Sequence, residues 1–443
     1  MQLIGTVDDP VENEETWSRA VVRGWVLPPD KVSHVNISIE GTIVCTCPLG
    51  SELRPDLAEA YSYVPSAENG GFNTVISIGD REGIYEISVS AVGLDGEQCS
   101  LGKRRIVNSR TPNGMPSEYA IGLISRCNLS CVMCPAHAED SKFLTEGLAI
   151  DQSLLEASLQ GLRDFASSIK FVALCGWGEP LMYPKIFEVI EQVHETSPSA
   201  VISITSNGTM FSDVIIQKIL SSSLSEICVS LDAGTKMTFD RIRKGANFNR
   251  VIEGTRRLVA ARTEHNRRLP VVLTNFVLLR SNISELPDYV KTAIMMNVDH
   301  INTVHVHGLY ESDRQQTLYD LGDASSELPP VLSNYIQQAK ALAKSAKVGL
   351  FIPPFTPSHP KLNCSFRGRS YPTIDPNGDV YPCCILEALG NEQGSRVKAI
   401  GNIRHEKLHQ IWNSPRYRAF RRAFYAGELP DPYCAKCPRY YNL

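Results

Sequence analysis

Three cysteines in one short loop constrain this chain more than any other feature. Cys127, Cys131 and Cys134 lie in the segment RCNLSCVMCP with the spacing C-x3-C-x2-C. Three thiolates this close cannot all pair as disulfides, and the loop instead brings them to one metal centre. An iron–sulfur cube has four irons, so three thiolates leave one iron free to bind another molecule. A structural zinc site would need a fourth ligand, for which His137 is the local candidate.

The spacing resembles the cluster loop of the radical S-adenosylmethionine (radical SAM) enzymes, and the resemblance extends over about residues 118–443. In that family the open iron binds the amino and carboxylate groups of SAM, and an electron from the cluster cleaves SAM to a 5′-deoxyadenosyl radical. The resemblance therefore implies a [4Fe-4S] cluster on the three cysteines, with SAM as its partner. Met133 stands where the family usually has an aromatic residue, and its polarizable thioether can pack on the adenine edge.

Charge and composition exclude several classes of partner. The chain has 44 basic and 48 acidic residues, a net charge of −4, so no overall field favours nucleic acid or an anionic membrane. No apolar run reaches the length of a membrane span, and the N-terminal segment is acidic. We therefore expect a cytoplasmic protein without nucleic-acid or membrane partners. In that compartment the 13 cysteines are metal ligands or free thiols rather than disulfides.

Residues 1–110 are expected to form an accessory β-sandwich. Val35, Ile37 and Ile39 alternate with polar residues, which is typical of half-buried antiparallel strands. Turn signals separate such segments. Cys47 and its neighbour Cys45 fit core packing better than a metal site, because both point to one face of a strand.

From residue 111 to about 350 the pattern changes to alternating strands and helices, which indicates an α/β fold with a parallel sheet. The strands are expected at 118–124, 170–175, 200–205, 226–231, 270–278 and 300–306. The helices are expected at 151–166, 183–196, 212–222, 247–264, 283–297 and 330–346. Six units are too few for a closed barrel. The family resemblance implies a partial (β/α)6 barrel, with the cysteine loop after the first strand.

A glycine-rich turn, Gly176-Trp177-Gly178-Glu179-Pro180, follows the second predicted strand. It resembles the GGEP segment of radical SAM enzymes with Trp177 inserted, and the resemblance implies contact with the SAM amino group. Ser206 and Asn207 begin the turn after the third strand. Short polar side chains there can bond ribose hydroxyls, although an Asn-Gly turn alone is ordinary.

The fourth strand is followed by a pattern that resembles the family's carboxylate-binding segment. It comprises Ser230, Asp232 and a helix expected to begin near Arg241–Arg243. By this resemblance, Ser230 and Arg243 would hold the SAM carboxylate, since a guanidinium can pair both oxygens. Without the resemblance, Arg243 is equally well a surface arginine paired with a nearby acid.

Two cysteines at predicted strand ends, Cys175 and Cys228, are candidate hydrogen-atom donors to a substrate radical. Such donation would make the protein an epimerase. Simple burial is the commoner fate of a cysteine.

A second group of cysteines lies within residues 351–443. A hairpin at Asn377-Gly378 would bring Cys364 near Cys383, and Cys434 and Cys437 could complete a four-thiolate site. This layout resembles the SPASM/twitch domain of radical SAM enzymes, which implies one auxiliary [4Fe-4S] cluster. The register from the glycine favours Cys383 over its neighbour Cys384, while a zinc ribbon is the alternative for this site.

Three functions are consistent with these observations. Relatives with this extension act on peptides, on proteins, or on sugars and aminoglycosides. The first function is oxidation or crosslinking of a peptide or protein, with a reductant such as flavodoxin or ferredoxin. A carbohydrate or aminoglycoside dehydrogenase or epimerase is the alternative. A zinc-stabilised binding protein without catalysis is the alternative from another class.

Overall fold

The computed structural model describes residues 3–10, 12, 14–16, 19–78, 83–108, 115–139, 141, 143, 148–174, 176–307, 314–319, 329–356, 371–391, 393, 395, 397–426 and 429–437. The chain forms two compact units, Met1–Thr111 and Pro112–Leu443. Within the described residues, each helix is either too short or too polar to cross a membrane.

The N-terminal unit contains two β-sheets. Its elements are β1 (Ile4–Asp9), β2 (Glu14–Thr16), β3 (Arg19–Leu27), β4 (Val32–Ile39), β5 (Thr42–Cys47), α1 (Pro55–Ala60), β6 (Gly71–Ser77), β7 (Gly83–Gly93) and β8 (Gln98–Asn108). One sheet has the order β1-β3-β6, and the other has the order β2-β8-β7-β4-β5. Strands β2 and β8 are parallel, and the other pairs are antiparallel.

Alternating apolar residues build the core of this unit from both sheets. Val22 and Phe72 come from the three-stranded sheet, and both are fully buried. Val35 and Ile87 come from the five-stranded sheet and belong to the same cluster. Cys47 is also a member of this cluster, as core packing predicts. The predicted sandwich is therefore confirmed.

Seven parallel strands form the centre of the second unit. They are β9 (Glu118–Ile121), β10 (Phe171–Ala173), β11 (Val201–Ser206), β12 (Glu226–Ser230), β13 (Val271–Leu278), β14 (His300–His305) and β15 (Gly349–Phe351). Each strand pairs in parallel with the next along the chain. Six of them were predicted, and the partial α/β barrel is confirmed. Strand β15 was not predicted, because two of its three residues are exposed and it lacks a buried apolar run.

Helices alternate with these strands, as the sequence predicts. They are α2 (Gln152–Asp164), α3 (Ile186–Thr196), α4 (Asp213–Ser221), α5 (Lys236–Ile242), α6 (Phe248–Glu264), α7 (Leu286–Met295) and α8 (Pro330–Ser345). Polar residues with short side chains precede α2, α4 and α6, and each accepts a hydrogen bond from a backbone N–H of the first turn. Such caps define where the helices begin.

Helix α5 corrects one expectation. The sequence pattern suggested a helix beginning near Arg241, but α5 ends at Ile242 and Arg243 follows its last turn. Thr235 begins this helix by accepting a hydrogen bond from the Thr238 N–H. Arg243 therefore leaves the helix where the chain turns inward, and its side chain is buried instead of lying on a helix surface.

A small hairpin continues the barrel sheet on the far side of β9. Strand β16 (Thr373–Ile374) runs parallel to β9, and β17 (Asp379–Tyr381) and β18 (Gly401–Asn402) follow in antiparallel order. Gly378 has a φ of +86° in the turn, a conformation that favours glycine, and the predicted hairpin is confirmed. The helices that follow are α9 (Cys384–Gly390), α10 (Leu408–Trp412) and α11 (Pro415–Ala426).

Candidate active site

The carboxyl ends of the parallel strands surround a cavity of about 250 Å³. Barrel enzymes carry their chemistry at this end of the strands. Most residues predicted to bind metal or cofactor line the cavity, although they are far apart in sequence. These are Cys127, Cys131, Met133, Cys134, Gly176, Gly178, Glu179, Ser206, Asn207, Ser230 and Arg243.

The three thiols of the cysteine loop all border this cavity. Burial raises the pKa of Cys127 and Cys131, and it raises the pKa of Cys134 to about 12. Without metal, these thiols are therefore protonated at neutral pH. Iron binding would displace the protons, because the thiolate is the form that ligates a metal.

The donor set fits an iron–sulfur cluster. All three side chains offer sulfur, which is the ligand that such clusters take from proteins, and a cube holds each thiolate on a separate iron. His137 directs its Nε2–H to the Trp177 carbonyl oxygen at 2.7 Å, so this nitrogen is already engaged. Within the described residues, no three His, Cys, Asp or Glu side chains lie close enough to hold a single metal ion.

Gly178 allows the glycine-rich segment to lie directly against the cysteine loop. A Cβ added to Gly178 would lie 2.5 Å from the carbonyl oxygens of Ile124 and Arg126. The Glu179 N–H donates to that same Arg126 oxygen at 2.9 Å. The segment therefore fixes the backbone immediately before Cys127.

The variant Gly178→Ala is expected to lose about 1–3 kcal/mol of stability, because the added carbon meets backbone that cannot move alone. Iron incorporation at the loop should fall with it. Urea unfolding and iron analysis after anaerobic reconstitution measure the two effects. Gly176→Ala is the milder control, since its added carbon would meet the Gly122 Cα at 3.1 Å. Unchanged iron content in Gly178→Ala would contradict this role.

Glu179 stabilises the turn that follows β11 by accepting hydrogen bonds from it. Its carboxylate accepts hydrogen bonds from the Ser206 hydroxyl at 2.9 Å, the Asn207 N–H at 2.7 Å and the Leu181 N–H at 3.2 Å. Burial raises the pKa of Glu179, and these donors oppose the rise. Ribose contact stays a prediction for Ser206 and Asn207, whose hydroxyl and backbone N–H are already engaged by Glu179.

Arg243 forms a buried ion pair beside the cysteine loop. Its Nε donates to Asp232 Oδ2 at 2.6 Å, and its Nη1 lies 3.8 Å from Cys131 Sγ. Asp232 also accepts the Val277 N–H at 2.7 Å and is completely buried, which raises its pKa. Asp232 was predicted to contact the cofactor, but it is not among the described residues that line the cavity. It orients Arg243 instead.

One wall of the cavity consists of residues that the sequence did not predict, and this wall is largely apolar. Met133 packs in a cluster with Val277 and Val306. The unpredicted lining residues on this side are Val277, Val304, His305, Val306, His307 and Ala388. The sequence V-H-V-H at the end of β14 was the available signal, because strand ends carry the ligand contacts of a barrel.

Other predicted residues lie elsewhere. Pro180 is buried at the start of a 3-10 helix, Pro180–Met182, and is not among the described cavity residues. Cys228 is buried within β12, two residues before Ser230, and is likewise not among them, so hydrogen-atom donation by Cys228 stays a prediction. Cys175 and Cys364 lie outside the described residues.

The C-terminal cysteines form a second group. Cys437 belongs to a buried apolar cluster against which Cys383, Cys384 and Cys434 all pack. Burial raises the pKa of Cys383, and the charges of Cys384, Cys434 and Cys437 act in the same direction. The Tyr371 hydroxyl lies 3.7 Å from Cys384 Sγ. The preference for Cys383 over Cys384 as the ligand that joins Cys434 and Cys437 stays a prediction.

Helix α9 connects the two cysteine sites. Cys383 caps its N-terminus by accepting the Leu386 N–H. One turn later, Ala388 lines the cavity and packs in one cluster with Cys134 and Trp177. The helix rises about 1.5 Å per residue, and Ala388 is only five residues after Cys383. The C-terminal cysteine group therefore lies close to the cavity.

Comparison with known protein families gives two matches. Residues 121–293 match the model of the radical SAM superfamily. Residues 364–438 match the SPASM model, described as an iron–sulfur cluster-binding domain. The first range contains the cysteine loop and the cavity segments up to β13, and the second contains all five C-terminal cysteines.

Individual relatives match most of the length of this chain. The chain is 25% identical over 71% of its length to a tungsten-containing aldehyde ferredoxin oxidoreductase cofactor-modifying protein from Pyrococcus furiosus, covering 85% of that protein. It is 21% identical over 73% of its length to a PqqA peptide cyclase from Rhodopseudomonas palustris, covering 80% of it. The fold resembles that of Streptococcus suis SuiB bound to its precursor peptide SuiA, with a TM-score of 0.52 and 15% identity, covering 74% of this chain and 71% of SuiB.

Proposed function

Because this chain is a radical SAM enzyme that ends in a SPASM iron–sulfur domain, we propose that it abstracts hydrogen from a peptide or protein and thereby oxidises or crosslinks it. One relative is named as a peptide cyclase, and this name supports a peptide substrate. The fold shared with SuiB is one that accommodates a peptide. The observation that carries the proposal is that three thiols and the Arg243 guanidinium border one cavity.

Different residues of this cavity would bind the cluster and SAM. Cys127, Cys131 and Cys134 would bind three irons of a [4Fe-4S] cluster, and the fourth iron would bind SAM. When bound, the pair supplies a 5′-deoxyadenosyl radical after transfer of one electron. Arg243 would neutralise the SAM carboxylate, and Met133 would pack on adenine.

The C-terminal group would hold the auxiliary [4Fe-4S] cluster. Its proposed ligands are Cys383, Cys434 and Cys437 together with Cys364. With four protein ligands, this cluster has no open iron and serves electron transfer or substrate docking. We include in the proposal a reductant such as flavodoxin or ferredoxin, a cytoplasmic location, and three domains over residues 1–110, 111–350 and 351–443.

The alternatives have less support. An epimerase acting on sugars depended on Cys175 and Cys228 as hydrogen donors. Cys228 is not among the cavity residues that the structure describes, and Cys175 lies outside the described residues. A zinc-stabilised binding protein does not agree with membership in an enzyme family that uses iron–sulfur clusters. The peptide reaction is therefore preferred.

The decisive experiment is anaerobic reconstitution with iron and sulfide, followed by addition of dithionite and SAM. The proposed function predicts that 5′-deoxyadenosine accumulates and is detectable by mass spectrometry. Heat-treated enzyme and enzyme without dithionite are the controls. A reconstituted protein that binds zinc in place of iron and forms no 5′-deoxyadenosine would overturn the proposal.

A double variant, Cys434→Ala with Cys437→Ala, is expected to separate the two cysteine sites. Loss of both ligands should reduce iron from about eight to about four atoms per chain, if each site holds a four-iron cluster. SAM cleavage should stay within a few-fold of wild type, because the cavity cysteines are unchanged. Iron analysis and 5′-deoxyadenosine assays measure this. Iron that stays at the wild-type level would show that Cys434 and Cys437 are not ligands.

A further inference from the structure

The side chain of Asn207 has a defined orientation. Its Oδ1 accepts the backbone N–H of Thr209 at 3.0 Å and the Thr209 hydroxyl at 2.7 Å. A backbone N–H can only donate, so the oxygen of the carboxamide must face Thr209. The opposite orientation would set an NH2 group against a donor. The NH2 of Asn207 therefore faces away from Thr209, which settles an ambiguity common to asparagine side chains.

The two hydrogens of this NH2 group have two acceptors. One is Asn128 Oδ1 at 2.8 Å, and the other is Cys127 Sγ at 3.7 Å. Asn128 in turn donates to the Thr209 hydroxyl oxygen at 2.9 Å. These contacts close a ring of hydrogen bonds through Asn207, Asn128 and Thr209. The ring holds the second hydrogen of the carboxamide toward the sulfur.

The backbone of Asn207 is also held in place. Its N–H donates to Glu179, which accepts the neighbouring Ser206 hydroxyl as well. Asn207 is only 6% exposed, so water cannot easily replace the contact with Cys127. The donor to the sulfur is therefore fixed before any cofactor binds. A fixed donor in a site with little water acts more strongly than one in solvent.

We propose that Asn207 donates a hydrogen bond to the Cys127 thiolate in the cluster-bound enzyme and thereby raises the reduction potential of the cluster that cleaves SAM. This inference rests on the proposed function. Reduction adds negative charge to the cluster and its thiolates, and a hydrogen bond to sulfur stabilises the more negative state. Asn207 thus acts as a positioning residue that makes the first electron transfer easier.

The test is a redox titration of the full-length, anaerobically reconstituted protein, followed by electron paramagnetic resonance. SAM is added to identify the signal of the cluster with an open iron. In Asn207→Ala, the ratio of reduced to oxidised cluster at a fixed potential should fall about tenfold, which corresponds to a midpoint potential about 59 mV lower. Asn207→Asp should lower it further, because a carboxylate cannot donate to sulfur and also adds a negative charge beside the cluster, which disfavours reduction.

Thr209→Val is the matched control. It removes the hydroxyl of the ring but keeps the backbone N–H that orients Asn207, so its midpoint should stay closer to wild type than that of Asn207→Ala. If Asn207→Ala does not assemble the cluster, Asn207→Asp and the iron–thiolate stretching frequencies in resonance Raman spectra provide the comparison. A SAM-responsive signal with unchanged midpoint in the variants overturns the inference. Absence of that signal in wild type would instead refute the proposed function.

Discussion

Replacing Cys131 with alanine is expected to abolish the cleavage of SAM. Cys131 is buried beside the cavity, and its sulfur lies 3.8 Å from Arg243 Nη1. Its loss leaves two thiolates, which cannot hold a cluster with a single open iron. Formation of 5′-deoxyadenosine should fall by more than about 100-fold, beyond the effect of losing a group behind a metal ligand. Mass spectrometry of anaerobic reactions with dithionite measures it.

Cys228→Ala is the matched control for this prediction. Cys228 is also a buried cysteine of the barrel, but it is not among the described residues that line the cavity. Its substitution should leave iron content and SAM cleavage near wild type. Cys131→Ala should keep the iron of the auxiliary site, so its iron content should be about half that of wild type. A Cys131→Ala variant that still forms 5′-deoxyadenosine at a comparable rate would refute the cluster assignment.

The second large effect is expected on stability. Arg243→Met would leave the carboxylate of Asp232 completely buried without its cation. Removing one partner of a buried ion pair costs about 3–5 kcal/mol, because the other charge is left uncompensated. The free energy of unfolding, measured in urea, should fall by about that amount. SAM cleavage should fall as well, since the cavity loses its buried guanidinium.

A double variant separates the two consequences. Adding Asp232→Asn to Arg243→Met removes the unpaired charge but keeps an oxygen for the Val277 N–H, so stability should largely return while SAM cleavage does not. Asp299→Asn is the control for the loss of an ion pair elsewhere in the barrel. Asp299 pairs with Arg262 just before β14, at the opposite end of the strands from the cavity. It should lower stability without changing SAM cleavage in the folded enzyme. Single variants of Arg243 with wild-type stability would contradict the argument.

The periodicity of the sequence was sufficient to predict a parallel sheet with alternating helices, and the family resemblance implied its partial barrel. Strands covered on both faces consist of continuous apolar runs, and the successive residues Ile227, Cys228 and Val229 of β12 are all buried as such a strand requires. Strand β15 escaped prediction because it is short and exposed. Helix α5 was misplaced because its start depends on one cap, Thr235, which the alternation of apolar residues does not reveal.

The sequence predicted the site only where the functional residues form continuous motifs. The cysteine loop and the glycine-rich segment are continuous motifs, and the cavity confirms that they lie together. The connection from Glu179 to Asn207 and on to Cys127 depends on hydrogen bonds between separate turns, which no spacing in the sequence encodes. Alternation placed Cys228 on the same face as Ser230. Ser230, at the end of its strand, lines the cavity, and Cys228 is not among the described residues that line it.

The position of β9 has a consequence for how the enzyme is made. This strand leads into the cysteine loop, and it is bordered by β10 on one side and by β16 on the other. Its second neighbour, β16, is synthesised after all seven parallel strands of the barrel. Until then, one edge of β9 has no partner, and the carbonyl of Ile374 is not yet present to receive the Gly122 N–H. A nascent chain therefore completes the support of its metal loop only after β16 has been made, so maturation of the loop follows synthesis of all seven parallel strands.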